Sequence, residues 1–346
     1  MVATARAAYG AVVIRTNGRI DNDGIILAIV RIDVLTLDGA FDLGLGAVLD
    51  TLAIANELAA PGPAPFDVRT IGMRRTVRTQ QGFRFSTQPV SPRSRCDVVV
   101  VPALGCKTPE TLEAALARRD VREATAWLRL RARQGARITA ACTGTFVLAA
   151  SALLDGHRAT TTWWLAPTFR ARFPAVELDE SHMLVESGAI VTAGAALAHL
   201  DLALWLVRGV SPSLADVVSR YLLVEARPTQ ALYAIPDHLS HSDELVARFE
   251  QWVRRRLAHP FDAQASARAI GTSTRTLARR IRRTLGKTPV GYVQELRVAH
   301  ALHRLRTSDA SLDEIAAEVG YRDGLTLRVL LRRKTGRGVR ELRRRA

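Results

Sequence analysis

Two places in the 346-residue chain hold residues whose types and spacing can do chemistry. One is a row of cations. Arg275, Arg279, Arg282 and Arg283 lie in a stretch, Thr274 to Leu285, whose Leu277 and Ile281 are four residues apart. As a helix, this stretch puts Leu277 and Ile281 on one face and the arginines on others. A guanidinium is a planar fork of donors that matches the O6 and N7 acceptors of guanine in the major groove. Thr274, Arg275, Ala278 and Arg279 are therefore candidates to face base edges, with Arg282 and Arg283 nearer phosphates. The other place is a lone thiol, Cys142. It falls between Arg137 to Ala141, which reads as a buried strand, and Thr145 to Leu154, which reads as a helix. A cysteine on such an elbow has a helix N-terminus beneath it, which lowers a thiol pKa and favours a nucleophile. A small apolar residue at a tight turn suits the same position, and position alone leaves the two readings level.

The arginine row needs a scaffold, and the flanking sequence supplies one. Ala263 to Ile270 reads as an amphipathic helix stopped by Gly271; Thr272-Ser273 caps the next helix and Gly286 ends it. Helix, glycine turn and arginine-lined helix make a helix-turn-helix unit. The pattern repeats. Leu312 to Val319 stops at Gly320, and a helix capped by Asp323 runs through Thr335 to Gly336, with Leu327 and Leu331 inward. Here Leu325, Thr326 and Arg328 are the candidates for base contact, with Arg332 and Arg333 for the backbone. Gly324 to Leu331 is unusually apolar, so this helix is expected to give phosphate and packing contacts more than base reading. Val293 to Leu305 reads as one continuous linker helix. Held rigidly about 34 Å apart, two recognition helices enter successive major grooves. Residues 242–346 carry 24 Lys and Arg against 11 Asp and Glu, most of the chain's net +16. That imbalance suits a polyanion. The tail Arg343 to Arg345 is expected to add salt-dependent affinity without sequence preference.

The thiol sits in a region of different texture. From Ile32 onward short apolar runs (Ile32 to Leu37, Phe66 to Ile71, Asp97 to Val101, Arg137 to Ala141) alternate with helical stretches. That alternation predicts an α/β sandwich around a mostly parallel sheet, followed by an all-α domain with two helix-turn-helix units. The expected organisation is an uncertain extension over 1–30, an α/β domain over 31–225, a linker over 226–241 and the DNA-binding domain over 242–346. Three cysteines without CxxC spacing signal neither a disulfide framework nor a metal site. No apolar run approaches the ~20 residues of a membrane span, so a soluble, cytoplasmic protein without membrane contact is expected. Nothing in the sequence calls for a cofactor. The lone Gly44-Leu-Gly46 lacks the spacing of a dinucleotide fingerprint. His199, in an apolar helical stretch, reads as a packed residue.

Two family resemblances cover most of the chain. Gly271 to Ile281, Gly286-Lys-Thr-Pro289, Leu296-Arg297 with Ala299 and Leu302, Ile315-Ala316 and Gly320-Tyr321-Arg-Asp323 resemble the AraC/XylS family of transcriptional regulators. Ala141-Cys-Thr-Gly-Thr-Phe146, Leu153 to Thr161, Trp163 and Thr192-Ala-Gly194 resemble the PfpI-type, class I glutamine amidotransferase-like domain, a flavodoxin-like fold. The fusion of the two is that of GlxA-like regulators. The resemblance implies promoter DNA, a small-molecule effector and a homodimer, with RNA polymerase a further candidate partner. It also implies a base histidine just before Trp163, where this chain has Thr162, and a glycine near the oxyanion site, where it has Ala103. A threonine is no base near neutral pH, so the Cys/His pair of a thiol hydrolase is broken and no catalytic residue is expected. Cys142, Thr143, Thr162 and Trp163, with Asp42 near the place of an acidic neighbour, remain as a ligand or redox pocket. A cysteine-dependent hydrolase or amidotransferase using Cys142 is the alternative.

Overall fold

The computed structural model describes residues 19–20, 26–27, 29–225, 227, 229–230, 241 and 243–343. The chain divides into two units, Met1–Trp163 with Phe173–Gln230, and Trp164–Arg172 with Ala231–Ala346. In the extension, Arg19–Ile20 pairs antiparallel with Ile26–Leu27. Asn22-Asp-Gly24, which reads as a turn in the sequence, lies outside the described residues.

The first unit is built on a seven-stranded sheet. In chain order its strands are β1 Val30–Leu35, β2 Phe66–Gly72, β3 Gln88–Pro89, β4 Val98–Val101, β5 Arg137–Ala141, β6 Leu184–Ser187 and β7 Ile190–Ala193. Their spatial order is β6-β7-β5-β4-β1-β2-β3. All pairings are parallel except the β6–β7 hairpin at one edge. All four valines of β4 are fully buried, the continuous apolar run that a strand covered on both faces requires. The helices are α1 Asp42–Glu57, α2 Pro109–Leu116, α3 Arg119–Arg133, α4 Gly144–Ala150, α5 Ala198–Val210 and α6 Pro212–Tyr221. Leu45, Val48 and Leu52 of α1 share one core with Leu202, Trp205 and Leu206 of α5 and Val218 of α6. Helix α4 is shorter than the sequence predicts: Ser151 ends it and Ala152 takes a left-handed φ of 62°. A separate hairpin pairs Thr76–Arg78 with Arg84–Ser86.

The second unit is helical: α7 Glu244–Arg254, α8 Ala263–Ala269, α9 Thr274–Leu285, α10 Pro289–Thr307, α11 Leu312–Glu318, α12 Gly324–Thr335 and α13 Val339–Arg343. Helix α10 is the linker helix and is longer than its predicted core. Thr288 caps it and Pro289, whose φ is preset for a helix, opens it. Its first half (Tyr292, Val293, Leu296) packs into a core with Phe249, Leu277 and Ile281. Its second half (Val298, Ala301, Leu302, Leu305) packs into a separate core with Ile315, Leu327 and Leu331. One helix thus carries two small cores end to end. The linker expected over 226–241 falls largely outside the described residues; Arg227 and Gln230 belong to the first unit and bond within it to Asp201 and Thr161.

Candidate nucleic-acid interface and thiol elbow

The thiol elbow has the backbone of a nucleophile site. Cys142 follows β5 directly and sits at φ 55°, a left-handed conformation that non-glycine residues adopt only when the surroundings impose it. Its amide donates to Ala193 O at 2.9 Å and its carbonyl accepts from the Thr161 hydroxyl at 2.7 Å, which holds the turn. Gly144 is required two residues later: a Cβ there would stand 2.3 Å from Val101 O and 2.7 Å from Pro102 O. The Thr143 hydroxyl donates to Leu104 O at 2.5 Å.

The chemistry does not follow the backbone. Cys142 is buried, and burial pushes its thiol up to about 12; donors from Thr143 and the neighbouring Thr162 hydroxyl pull the other way but less strongly. Of the two readings the position left level, burial favours the inert one, because desolvation of a thiolate outweighs the few N–H groups of a seven-residue helix. Thr162, in the place of the base, is fully buried, and its hydroxyl makes no well-formed hydrogen bond among the described residues. His157 and His182 are engaged with other partners. His157 Nδ1 meets Ser187 Oγ at 2.9 Å and His182 Nδ1 meets Asp179 Oδ2 at 2.7 Å. Asp42 opens α1 and its carboxylate accepts the amide of the distant Gln81 at 3.0 Å, which ties the loop at Gln81 to the helix start. Trp163 and Trp164 are both half-buried. His199 is packed as expected: it is fully buried and accepts the Ala103 amide on Nε2 at 3.0 Å. Sequence reasoning missed Gln230, which is buried, accepts the Ala195 amide and donates to Thr160 Oγ1 and Thr161 O. Its only signal was a polar residue just past a proline-bearing stretch. Among the described residues no cluster of three or more His, Cys, Asp or Glu could hold a metal.

The helical unit has two capped recognition helices. Ser273 accepts the Thr276 amide at the start of α9, and Gly286 ends it at φ 70°. Asp323 accepts the Thr326 amide at the start of α12, and Gly336 ends it at φ 69°. Leu277, Ile281, Leu327 and Leu331 face inward as predicted. Thr274, Arg275, Arg279, Arg282 and Arg283 are exposed and Ala278 is half-buried. Arg280, between them, pairs with Asp243 at 2.8 Å and is thereby tied to α7. On α12, Leu325, Thr326, Arg328, Arg332 and Arg333 are all exposed. Of the apolar residues of this helix, Leu327, Leu330 and Leu331 are buried, while Leu325 and Val329 are 68% and 62% exposed. Of the basic tail, Arg343 donates to Ala310 O at 2.6 Å; Arg344 and Arg345 lie outside the described residues. Among the described residues no helix is long and apolar enough to cross a membrane.

A parallel α/β domain with a cysteine elbow, followed by paired helix-turn-helix units, defines a class in which a DJ-1/PfpI-type fold is joined to a DNA-binding domain. Residues 30–208 match the DJ-1/PfpI family and residues 266–345 match a helix-turn-helix domain; the chain belongs to the DJ-1/PfpI family. It is similar to the HTH-type transcriptional regulator GbdR of Pseudomonas aeruginosa, 26% identical over 299 residues, covering 84% of this chain and 77% of that protein. It is also similar to the regulator GlxA of Rhizobium meliloti, 31% identical over 199 residues, covering 56% of this chain and 61% of that one. The regulator ArgR of Pseudomonas aeruginosa is 31% identical over 197 residues, covering 56% and 60%.

Proposed function

We propose that this chain is a sequence-specific, cytoplasmic transcriptional regulator without enzymatic activity. The helical domain binds promoter DNA, and the α/β domain senses a small-molecule effector, holds a second copy of the chain, or does both. The observation that carries this reading is the pair of capped helices with cationic outer faces, α9 and α12, mounted on the two ends of one helix, α10. Arg275 and Arg279 face base edges, and Arg282, Arg283, Arg332 and Arg333 meet phosphates. The names of the relatives support regulation of transcription. The thiol environment supports absence of turnover, since Cys142 has neither a base beside it nor a lowered pKa.

Retention of fragmented genomic DNA by the full-length protein at roughly physiological salt, where non-specific binding is weak, tests the reading. Enrichment of a few sites with two short elements about one helical turn apart is the expected result. Uniform retention across sequences, with a steep salt slope, would instead mark a non-specific binder.

A further inference from the structure

The two recognition helices are in the same register. Counting back from the left-handed glycines Gly286 and Gly336, the buried pair falls at Leu277 and Ile281 in α9 and at Leu327 and Leu331 in α12. In that register Leu325 stands where α9 has Arg275, and Val329 stands where it has Arg279. The flanking cations are kept, since Arg332 and Arg333 match Arg282 and Arg283. The second unit therefore preserves the phosphate-facing positions and replaces both base-facing arginines with aliphatic side chains.

Those side chains do not serve the fold, because Leu325 is 68% and Val329 62% exposed. They lie one turn apart, with the exposed Thr326, Arg328 and Arg332 around them and no carboxylate from Gly324 to Thr335. A cationic rim around an apolar centre fits a groove walled by phosphates. Of the four bases only thymine presents a methyl group there. An aliphatic side chain over any other base edge would leave polar groups dry and unpaired. We propose that Leu325 and Val329 read thymine C5-methyl groups, so that the two units read elements of different composition, guanine through Arg275 and Arg279 and thymine through α12. The helix rises about 6 Å over four residues, close to two base steps of ~3.4 Å, so the two thymines fall within about two steps of each other. This rests on the DNA-binding reading above.

The test begins with sites selected from random duplexes by the full-length protein. In the selected site each thymine is replaced singly by deoxyuridine, which removes one methyl and leaves every hydrogen-bonding group. One element is expected to contain one or two positions where this weakens binding about fourfold, the worth of a buried methyl. In the variant carrying Leu325→Asn and Val329→Thr, both near-isosteric and at exposed positions, that penalty is expected to fall below twofold. Penalties below twofold at every thymine for the wild type, or a penalty that survives in the variant, overturn the proposal while leaving specific binding intact. So does loss of self-association in the variant with DNA affinity unchanged, which would assign this face to a second copy. Failure to select any site overturns the regulator reading itself, and this proposal with it.

Discussion

The Nε2 of His199 accepts the backbone N–H of Ala103 at 3.0 Å, while its Nδ1–H donates to Ala196 O at 2.6 Å. Both ring nitrogens are used in the neutral form, and burial holds the imidazole down at about 4. A Cβ on Gly44 would stand 2.7 Å from the ring, so the glycine that looked like half of a nucleotide motif makes room for this histidine. The amide at Ala103, which the family resemblance places near the oxyanion site, is thus already bound within the fold.

That bond has a pH signature. An unfolded histidine takes a proton near 6.5 and His199 only near 4, so the unfolded chain binds more protons in that window. The stability His199 contributes is full above 6.5 and is lost as pH falls towards 4. Asp201 acts oppositely. Burial raises it to about 6 despite Arg227 at 2.7 Å, so its contribution is full below ~3.9 and is lost as pH rises through 6. Between pH 6 and 4 the two offset each other. Asp201→Asn removes one side of the balance. The variant should lose roughly 2–3 kcal/mol more stability than the wild type between pH 6.5 and 4, read from urea midpoints across pH. Parallel pH profiles would show that Asp201 is not protonated in the folded state.

Cys142 should be slow towards electrophiles. With its thiol at about 12, the thiolate fraction at pH 8 is about three orders of magnitude below that of a free thiol. Iodoacetamide labelling of the native protein, followed by mass spectrometry, should leave Cys142 largely unmodified after a free thiol has reacted fully. Restoring the missing base by Thr162→His is expected to leave the protein without amide or peptide turnover, because burial and not the absent base sets the thiol's state. Rapid labelling of the wild type would overturn this.

Gly144→Ala places a methyl against two backbone carbonyls that belong to the strand end and cannot swing aside. The expected cost is about 3 kcal/mol, at the upper end of ordinary overpacking, read as a lowered unfolding midpoint. A loss under 0.5 kcal/mol would mean that the elbow is looser than its geometry.

The fold was legible because its signals are local. The valine run of β4 and the glycine stops of α9 and α12 lie where the chain itself states its period. The elbow was legible for the same reason. What escaped were contacts set by distant partners: Gln230 with Thr160 and Thr161, Arg280 paired with Asp243, and His199 on Ala103. The direction of the Cys142 shift escaped too, since burial is a property of the whole domain and leaves no mark at the residue. The exposure of Val329 escaped as well, because hydrophobicity predicts burial and here the side chain faces water.

Arg275→Ala should relax preference at one or two base positions by roughly 1–3 kcal/mol, as expected for loss of a bidentate arginine–guanine contact. Arg283→Ala should instead weaken all sequences alike and lower the salt slope by about one. Titration of selected and scrambled duplexes at several salt concentrations separates the two. Uniform weakening by Arg275→Ala would move that residue to the phosphate class.

Arg297 sits in α10 between the two small cores and holds both sides. Its Nε donates to Leu257 O at 3.2 Å, its Nη2 donates to His259 O at 2.6 Å, and its guanidinium lies 5.2 Å from the centre of the Tyr321 ring. The first two contacts fix the chain that leads into the first helix-turn-helix unit, and the third fixes the turn of the second. Lysine cannot make this fork-and-stack arrangement, so Arg297→Lys should behave like a loss. Each hydrogen bond from a charged donor contributes about 1.5–3 kcal/mol, so a stability decrease of roughly 2 kcal/mol is expected. The sharper readout is spacing. Adding half a helical turn of DNA between the two elements should cost the wild type most of its specific affinity, because α10 fixes the angle between α9 and α12. In Arg297→Lys the same insertion should cost less, since a looser pair can follow the displaced element. Equal penalties in both proteins would mean that the two cores alone keep the units in line.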